Sequence, residues 1–115
     1  MAINFDPVRL RRTLHQHPEL SNQEAQSARA IAAQLRQFGF HPVTDVGGHG
    51  ILVTIQGAAP GPTTLLRADF DALPIHERTQ LDYASCHDGV MHACGHDGHT
   101  AALLAVAAEL SQTPP

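Results

Sequence analysis

Eight consecutive residues, His92-Ala93-Cys94-Gly95-His96-Asp97-Gly98-His99, constrain this chain more than any other stretch. They pack a thiol, three imidazoles and a carboxylate just ahead of a helical run. Such a density of ligating groups reads as a metal site. Cys94 and His96 flank a single glycine, and a soft thiolate beside an imidazole suits Zn2+ or a similar late transition ion, with Mn2+ admitted if oxygen ligands complete the shell. Asp97 falls at or near the start of the helix, where the dipole favours its charge and where it could bridge or orient metal ions. Other readings stay open. The histidines His87, His92, His96 and His99 also fit a solvated loop or the turn and capping residues of a helix start. Cys94 beside a histidine also fits a nucleophile. A zinc-finger module is disfavoured, because no second Cys-x-x-Cys or His-x-x-x-His pair occurs.

The rest of the chain divides into short elements. Asp6-Pro7 is an N-cap followed by proline at the first helical position, opening a helix through Val8, Leu10, Arg11 and Leu14 that Pro18 ends. Ser21 with Glu24 three residues on reads as a capping box. Ala25, Ala28, Ala32, Leu35 and Phe38 then recur at helical spacing until Gly39. Three strands are expected next, at 43–46, 50–56 and 63–68, separated by Gly47-Gly48 and Ala59-Pro60-Gly61-Pro62. Residues 71–90 read mostly as loop. Thr100 to Leu110 reads as a helix that is apolar nearly all round, suited to burial against a sheet. The order helix, helix, three strands, loop, helix predicts an α/β fold, a mixed sheet flanked by helices.

Composition narrows the function. A chain of 115 residues has room for one small domain. Its net charge of -4, without a basic run, argues against nucleic acid or a membrane surface as partner. No apolar stretch approaches the ~18 residues of a membrane span, and Met1 to Asp6 lacks the pattern of a secretory leader, so a cytoplasmic location is expected. In that setting Cys94, set between histidines, is expected to be a thiolate ligand rather than paired with Cys86 in a disulfide.

A second chemical feature lies at the end of the third expected strand. In Leu66-Arg67-Ala68-Asp69-Phe70-Asp71-Ala72-Leu73-Pro74, Asp69 and Asp71 alternate, so an extended backbone sends both carboxylates to the same side. Sites in open α/β sheets form at such carboxyl ends. Turn residues ahead of Pro74 would look the same.

Three segments together resemble the amidohydrolase branch of the aminoacylase and carboxypeptidase-like zinc metallopeptidases, which includes hippurate hydrolases, N-acyl amino acid deacetylases and auxin-conjugate hydrolases. They are Arg11-Arg12-Thr13-Leu14-His15-Gln16-His17-Pro18-Glu19-Leu20-Ser21 with Glu24, then Leu66 to Ile75, then Gly89 to Ala101. The resemblance runs in order over nearly the whole chain.

It implies that Cys94 and His96 are metal ligands and that Asp69 and Asp71 occupy a catalytic position that tunes the metal site. Asp97, His99 and His92 are site-adjacent, and His17 and Glu19 are structural. It further implies a divalent metal, Zn or Mn, with two ions in the complete enzyme. The implied substrate is a small N-acyl amino acid or related conjugate, and the full-length form is a candidate homo-oligomer. Relatives continue with a Glu-Glu pair whose first member is the general base, further His ligands and a lid or dimerisation domain. The expectation is therefore that residues 1–115 are the N-terminal portion of a catalytic domain, binding metal weakly and hydrolysing nothing alone. The alternatives are an inactive truncated fragment and a stand-alone metal-binding module.

Overall fold

The computed structural model describes residues 3–115; the reading of the N-terminus as leaderless includes Met1 and Ala2, which lie outside the described residues. Five elements follow in the order α1 (Pro7–Gln16), α2 (Ala25–Gln37), β1 (Val43–Val46), β2 (Gly50–Leu52) and α3 (His96–Gln112). The long segment between β2 and α3 runs mostly without regular structure and is tied down by side chains.

Local signals set the helix ends. Asp6 accepts the Arg9 amide at 3.1 Å, with Pro7 in the first turn. At the far end of α2, Gly39 has φ +92°, its amide bonds the Arg36 carbonyl at 2.9 Å, and the Phe40 amide bonds the Leu35 carbonyl at 3.1 Å. This is a Schellman stop, and the left-handed backbone it requires strains any side-chain-bearing residue at position 39.

The start of α2 departs from the expected capping box. Glu24 makes no side-chain cap bond, and Ser21 turns away to donate to Asp71 at 2.5 Å. Glu19 does the capping instead, its carboxylate accepting the amides of Ser27 (2.6 Å) and Gln26 (3.2 Å). A charged acceptor brought by the preceding turn serves the open helix amides better than a hydroxyl that has an ionised partner elsewhere.

The sheet is smaller than expected. β1 and β2 pair antiparallel, Val43 opposite Leu52 and Val46 opposite Gly50, with an irregularity between. The second strand ends at Leu52 rather than near Gln56, and 63–68 forms no strand at all: Leu65 is 77% and Leu66 53% exposed. Apolar β-rich sequence becomes a strand only when a neighbour accepts its ladder bonds, and none among the described residues does so here. The pairings beyond β1 and β2 are isolated bridges, Leu20 with Ala72 (parallel) and Leu73 with Met91 (antiparallel). Mixed pairings with helices around them make this an α/β fold.

α3 starts four residues earlier than expected and packs chiefly on α1. Asp97, Thr100, Ala101 and Leu104 form its buried stripe, whereas Val106 is exposed, so one face is covered rather than the whole circumference. Ile31, Leu35 and Phe38 of the α2 region meet Leu104 in the core, with Phe5 set edge-on to Phe38 at 5.1 Å. Replacing Glu19 by alanine leaves two α2 amides open and should destabilise the chain by about 1 kcal/mol, as for a lost N-cap; urea unfolding measures it.

Candidate functional site

Three of the sequence-derived residues converge. Ligand atoms of Asp69, Asp71 and His96 lie within 4.8 Å of one another. The local fold explains why. The Ala72 amide bonds the Glu19 carbonyl at 2.8 Å, and Leu73 and Met91 exchange amide bonds of 2.9 and 3.0 Å, fixing the backbone on the C-terminal side of Asp71. Thr100, one turn into α3, donates its hydroxyl to the Asp69 carbonyl at 2.9 Å. Helix and carboxylate segment are therefore pinned on both sides of the cluster.

Within it, Asp71 binds His96. One carboxylate oxygen meets His96 Nδ1 at 2.9 Å, and the other accepts the Ser21 hydroxyl. The Ser21 bond is the largest influence on the Asp71 carboxyl and draws it below the ordinary carboxylate value; partial burial opposes this, and the His96 bond reinforces it. His96 Nε2 makes no hydrogen bond among the described residues. A carboxylate on one imidazole nitrogen with the other nitrogen free is the arrangement that orients a histidine ligand. Asp69 is more open and pairs with Arg67 at 2.5 Å.

Cys94 is not part of this group. It is an exposed free thiol just before Gly95, whose φ of +87° turns the chain into α3 between Cys94 and His96. His99 is exposed, its ring 6.1 Å from that of His96. His92 is buried, and neither of its ring nitrogens has a partner among the described residues. Burial, the largest effect, lowers its basicity, with the Asp97 charge acting in opposition. A buried imidazole with two open nitrogens is a group that an additional ligand would satisfy. Two carboxylates, one oriented imidazole and this unpartnered histidine nearby fit a divalent cation of borderline character.

Sequence reasoning missed the network beneath the site. Asp97, wholly inaccessible, hydrogen-bonds His15 Nδ1 and forms an ion pair with Arg11 Nε, both at 2.8 Å and both through Oδ2. On its other side the His15 ring meets Glu77 at 3.0 Å. Glu77 also accepts the Ser85 amide at 2.8 Å and the Thr79 hydroxyl. Burial is the largest single effect on Glu77 and raises it, but the Thr79, Ser85 and His15 bonds together hold it below its ordinary value of 4.5. Tyr83 completes the shell, with the Arg12 guanidinium over its ring at 4.7 Å. The signal was present: Arg11 and His15 stand one turn apart and share a face of α1.

A second grouping also went unread. His17, Cys86 and His87 place ligand atoms within 4.8 Å on the surface.

The sequence profile described as peptidase family M20/M25/M40 matches residues 65–114. The N-acetyl-L-cysteine deacetylase of Bacillus subtilis (strain 168) is 49% identical over 100 residues, 87% of this chain and 24% of that protein. The N-acyl-L-amino acid amidohydrolase of Geobacillus stearothermophilus is 44% identical over 110 residues, 96% of this chain and 30% of that protein. Among solved structures, the YXEP protein of Bacillus subtilis, described as a dinuclear metal binding peptidase from the M20 family, superposes with a TM-score of 0.89 at 42% identity, covering 93% of this chain and 30% of that one. The chain thus spans 24–30% of the length of these relatives. No helix among the described residues is long and apolar enough to cross a membrane.

The Glu77 contribution has a definite pH signature. Because its pKa is lower in the folded chain than in the unfolded one, its stabilisation is fully present above about 4.5 and is lost as the pH falls through the folded value. The variant E77Q should therefore be less stable than the wild type at pH 7, with the gap closing on acidification below 4.5 in urea titrations. Substitution of Asp97 by alanine removes the buried partner of the His15 hydrogen bond and of the Arg11 ion pair and should cost about 2–3 kcal/mol at pH 7.

Proposed function

We propose, from the premise that this chain belongs to peptidase family M20/M25/M40, that it forms the N-terminal portion of the catalytic domain of a metal-dependent amidohydrolase. The substrates are small N-acyl amino acids or related conjugates, as the names of its relatives suggest. The remainder of that domain and a lid or dimerisation domain belong to the complete protein, which is a candidate homo-oligomer. The observation that carries the reading is the convergence of Asp69, Asp71 and His96, with the Asp71 carboxylate on His96 Nδ1.

In this reading His96 offers Nε2 as a metal ligand, and Asp71, held by Ser21, fixes the ring that does so. Asp69, the freer carboxylate, stands within reach of the same ion. Cys94 joins as a thiolate ligand on the strength of the family resemblance, at the left-handed turn that precedes His96. One or two divalent ions held there, Zn2+ or Mn2+, would supply Lewis-acid polarisation of an amide carbonyl and lower the pKa of a water towards neutrality. The protein's part is to keep these donors fixed: Thr100 holds the Asp69 backbone to α3, and Asp97 locks the first turn of that helix against α1. A cytoplasmic location accords with the free thiols of Cys86 and Cys94.

Calorimetric titration of the chain with Zn2+ and Mn2+ tests the site. Asp71→Asn should weaken binding about 10–100-fold, the usual effect of removing the carboxylate behind a histidine ligand. The same substitution in the complete protein should depress hydrolysis of N-acyl amino acids to a similar degree. Unchanged affinity in Asp71→Asn, or vigorous hydrolysis by residues 1–115 alone, would overturn the assignment.

A further inference from the structure

We propose that His17, Cys86 and His87 form a separate surface site for a thiophilic divalent cation of the zinc type, independent of the Asp69, Asp71 and His96 cluster. The three side chains come from two different parts of the chain, and their ligand atoms lie within 4.8 Å of one another. Cys86 Sγ is 3.3 Å from His17 Nδ1, and the rings of His17 and His87 stand 6.3 Å apart in an edge-on arrangement. One thiolate and two imidazoles are a donor set for Zn2+ with a fourth position left to solvent.

The backbone beneath these donors is already fixed. His17 is the C-cap residue of α1, its amide bonded to the Leu14 and Thr13 carbonyls at 3.2 Å. The Cys86 amide bonds the Gln16 carbonyl at 2.9 Å, so the Cys86 loop is tied to the last turn of the same helix. Ser85 holds His87, its hydroxyl donating to the His87 carbonyl at 3.0 Å and accepting the His87 amide at 3.1 Å. Ser85 is itself anchored by the Glu77 carboxylate. Little ordering therefore remains to be done on binding, and the negative end of the α1 dipole faces a cation in this position. All three residues are exposed, so an ion enters from solvent, and an open groove lined by Pro18, Glu19, Gln26 and Val90 adjoins them. Binding replaces the thiol hydrogen of Cys86 by the metal and releases that proton to solvent.

The site uses none of the residues assigned to hydrolysis, so its test is arranged to separate the two. Co2+ is titrated into Cys94→Ser, in which Cys86 is the one remaining thiol, and the ultraviolet charge-transfer absorption between thiolate and cobalt is followed. The expected result is a saturable band that is lost when His87→Ala or His17→Ala is added and is retained when Asp71→Asn is added. No band in Cys94→Ser, or a band indifferent to both histidine changes, would overturn the proposal. Should Cys94→Ser fail to fold, alkylation of Cys86 in the wild-type chain, mapped by mass spectrometry, decides the matter. Zn2+ at about ten times its dissociation constant should slow that alkylation about tenfold by mass action, and His87→Ala should abolish the protection. Equal rates with and without Zn2+ would also overturn it.

Discussion

Asp97 is the contact on which the rest of the arrangement depends. It sits in the first turn of α3 with no solvent exposure, and an isolated carboxylate there would be costly to bury. The Arg11 ion pair and the His15 hydrogen bond, both from α1, make the position tolerable, and Glu77 answers His15 from the other side. The pairing of α1 with α3 is thus more than apolar packing: it is directional, and it sets which residues the first turn of α3 presents. Arg11 is partly solvent-screened, which limits what the outer half of the network adds to stability. Its inner half is buried, with the His15 ring held between Asp97 and Glu77.

That fixed helix start is what gives the neighbouring cluster its chemistry. His96 precedes Asp97 in the chain, and Asp71 reaches it from a segment that has no regular secondary structure of its own. The segment is held by isolated bridges at Ala72 and Leu73 and by the Thr100 bond to Asp69. Glu19 is common to both supports, for its carbonyl takes the Ala72 amide while its side chain caps α2. The carboxylates are positioned by a few polar ties rather than by a sheet.

What could be read from the sequence was local. Asp6-Pro7 and Gly39 announce helix ends because the partner groups lie within a few residues, whereas Asp69 and Asp71 come together with His96 without the strand from which their alternation was argued. The cysteine and histidine run marked the entrance of α3, though its first turn begins at His96 rather than after it. Ser21 was misread because its hydroxyl has a stronger partner fifty residues away, which no capping pattern encodes. The segment 63–68 has strand composition, but pairing is a property of two segments, not of one. His17, Cys86 and His87 are ordinary residues in isolation and become a group only when the end of α1 meets the loop. The buried partners of Asp97 were invisible for the same reason, except that Arg11 and His15 share a helical face.

The separation of 82 residues between His15 and Asp97 also governs when the arrangement can exist. α1 and α2, with their caps drawn from adjacent turns, can form as soon as they are made. His15 must wait for α3. At translation speeds of about 5–20 residues per second, the interval between synthesis of His15 and synthesis of Asp97 is on the order of ten seconds. During it the apolar faces of both early helices have no α3 to cover them, and Arg11 and His15 have no Asp97 to bind. The order of assembly is therefore vectorial, with the candidate site unable to form until α3 has emerged.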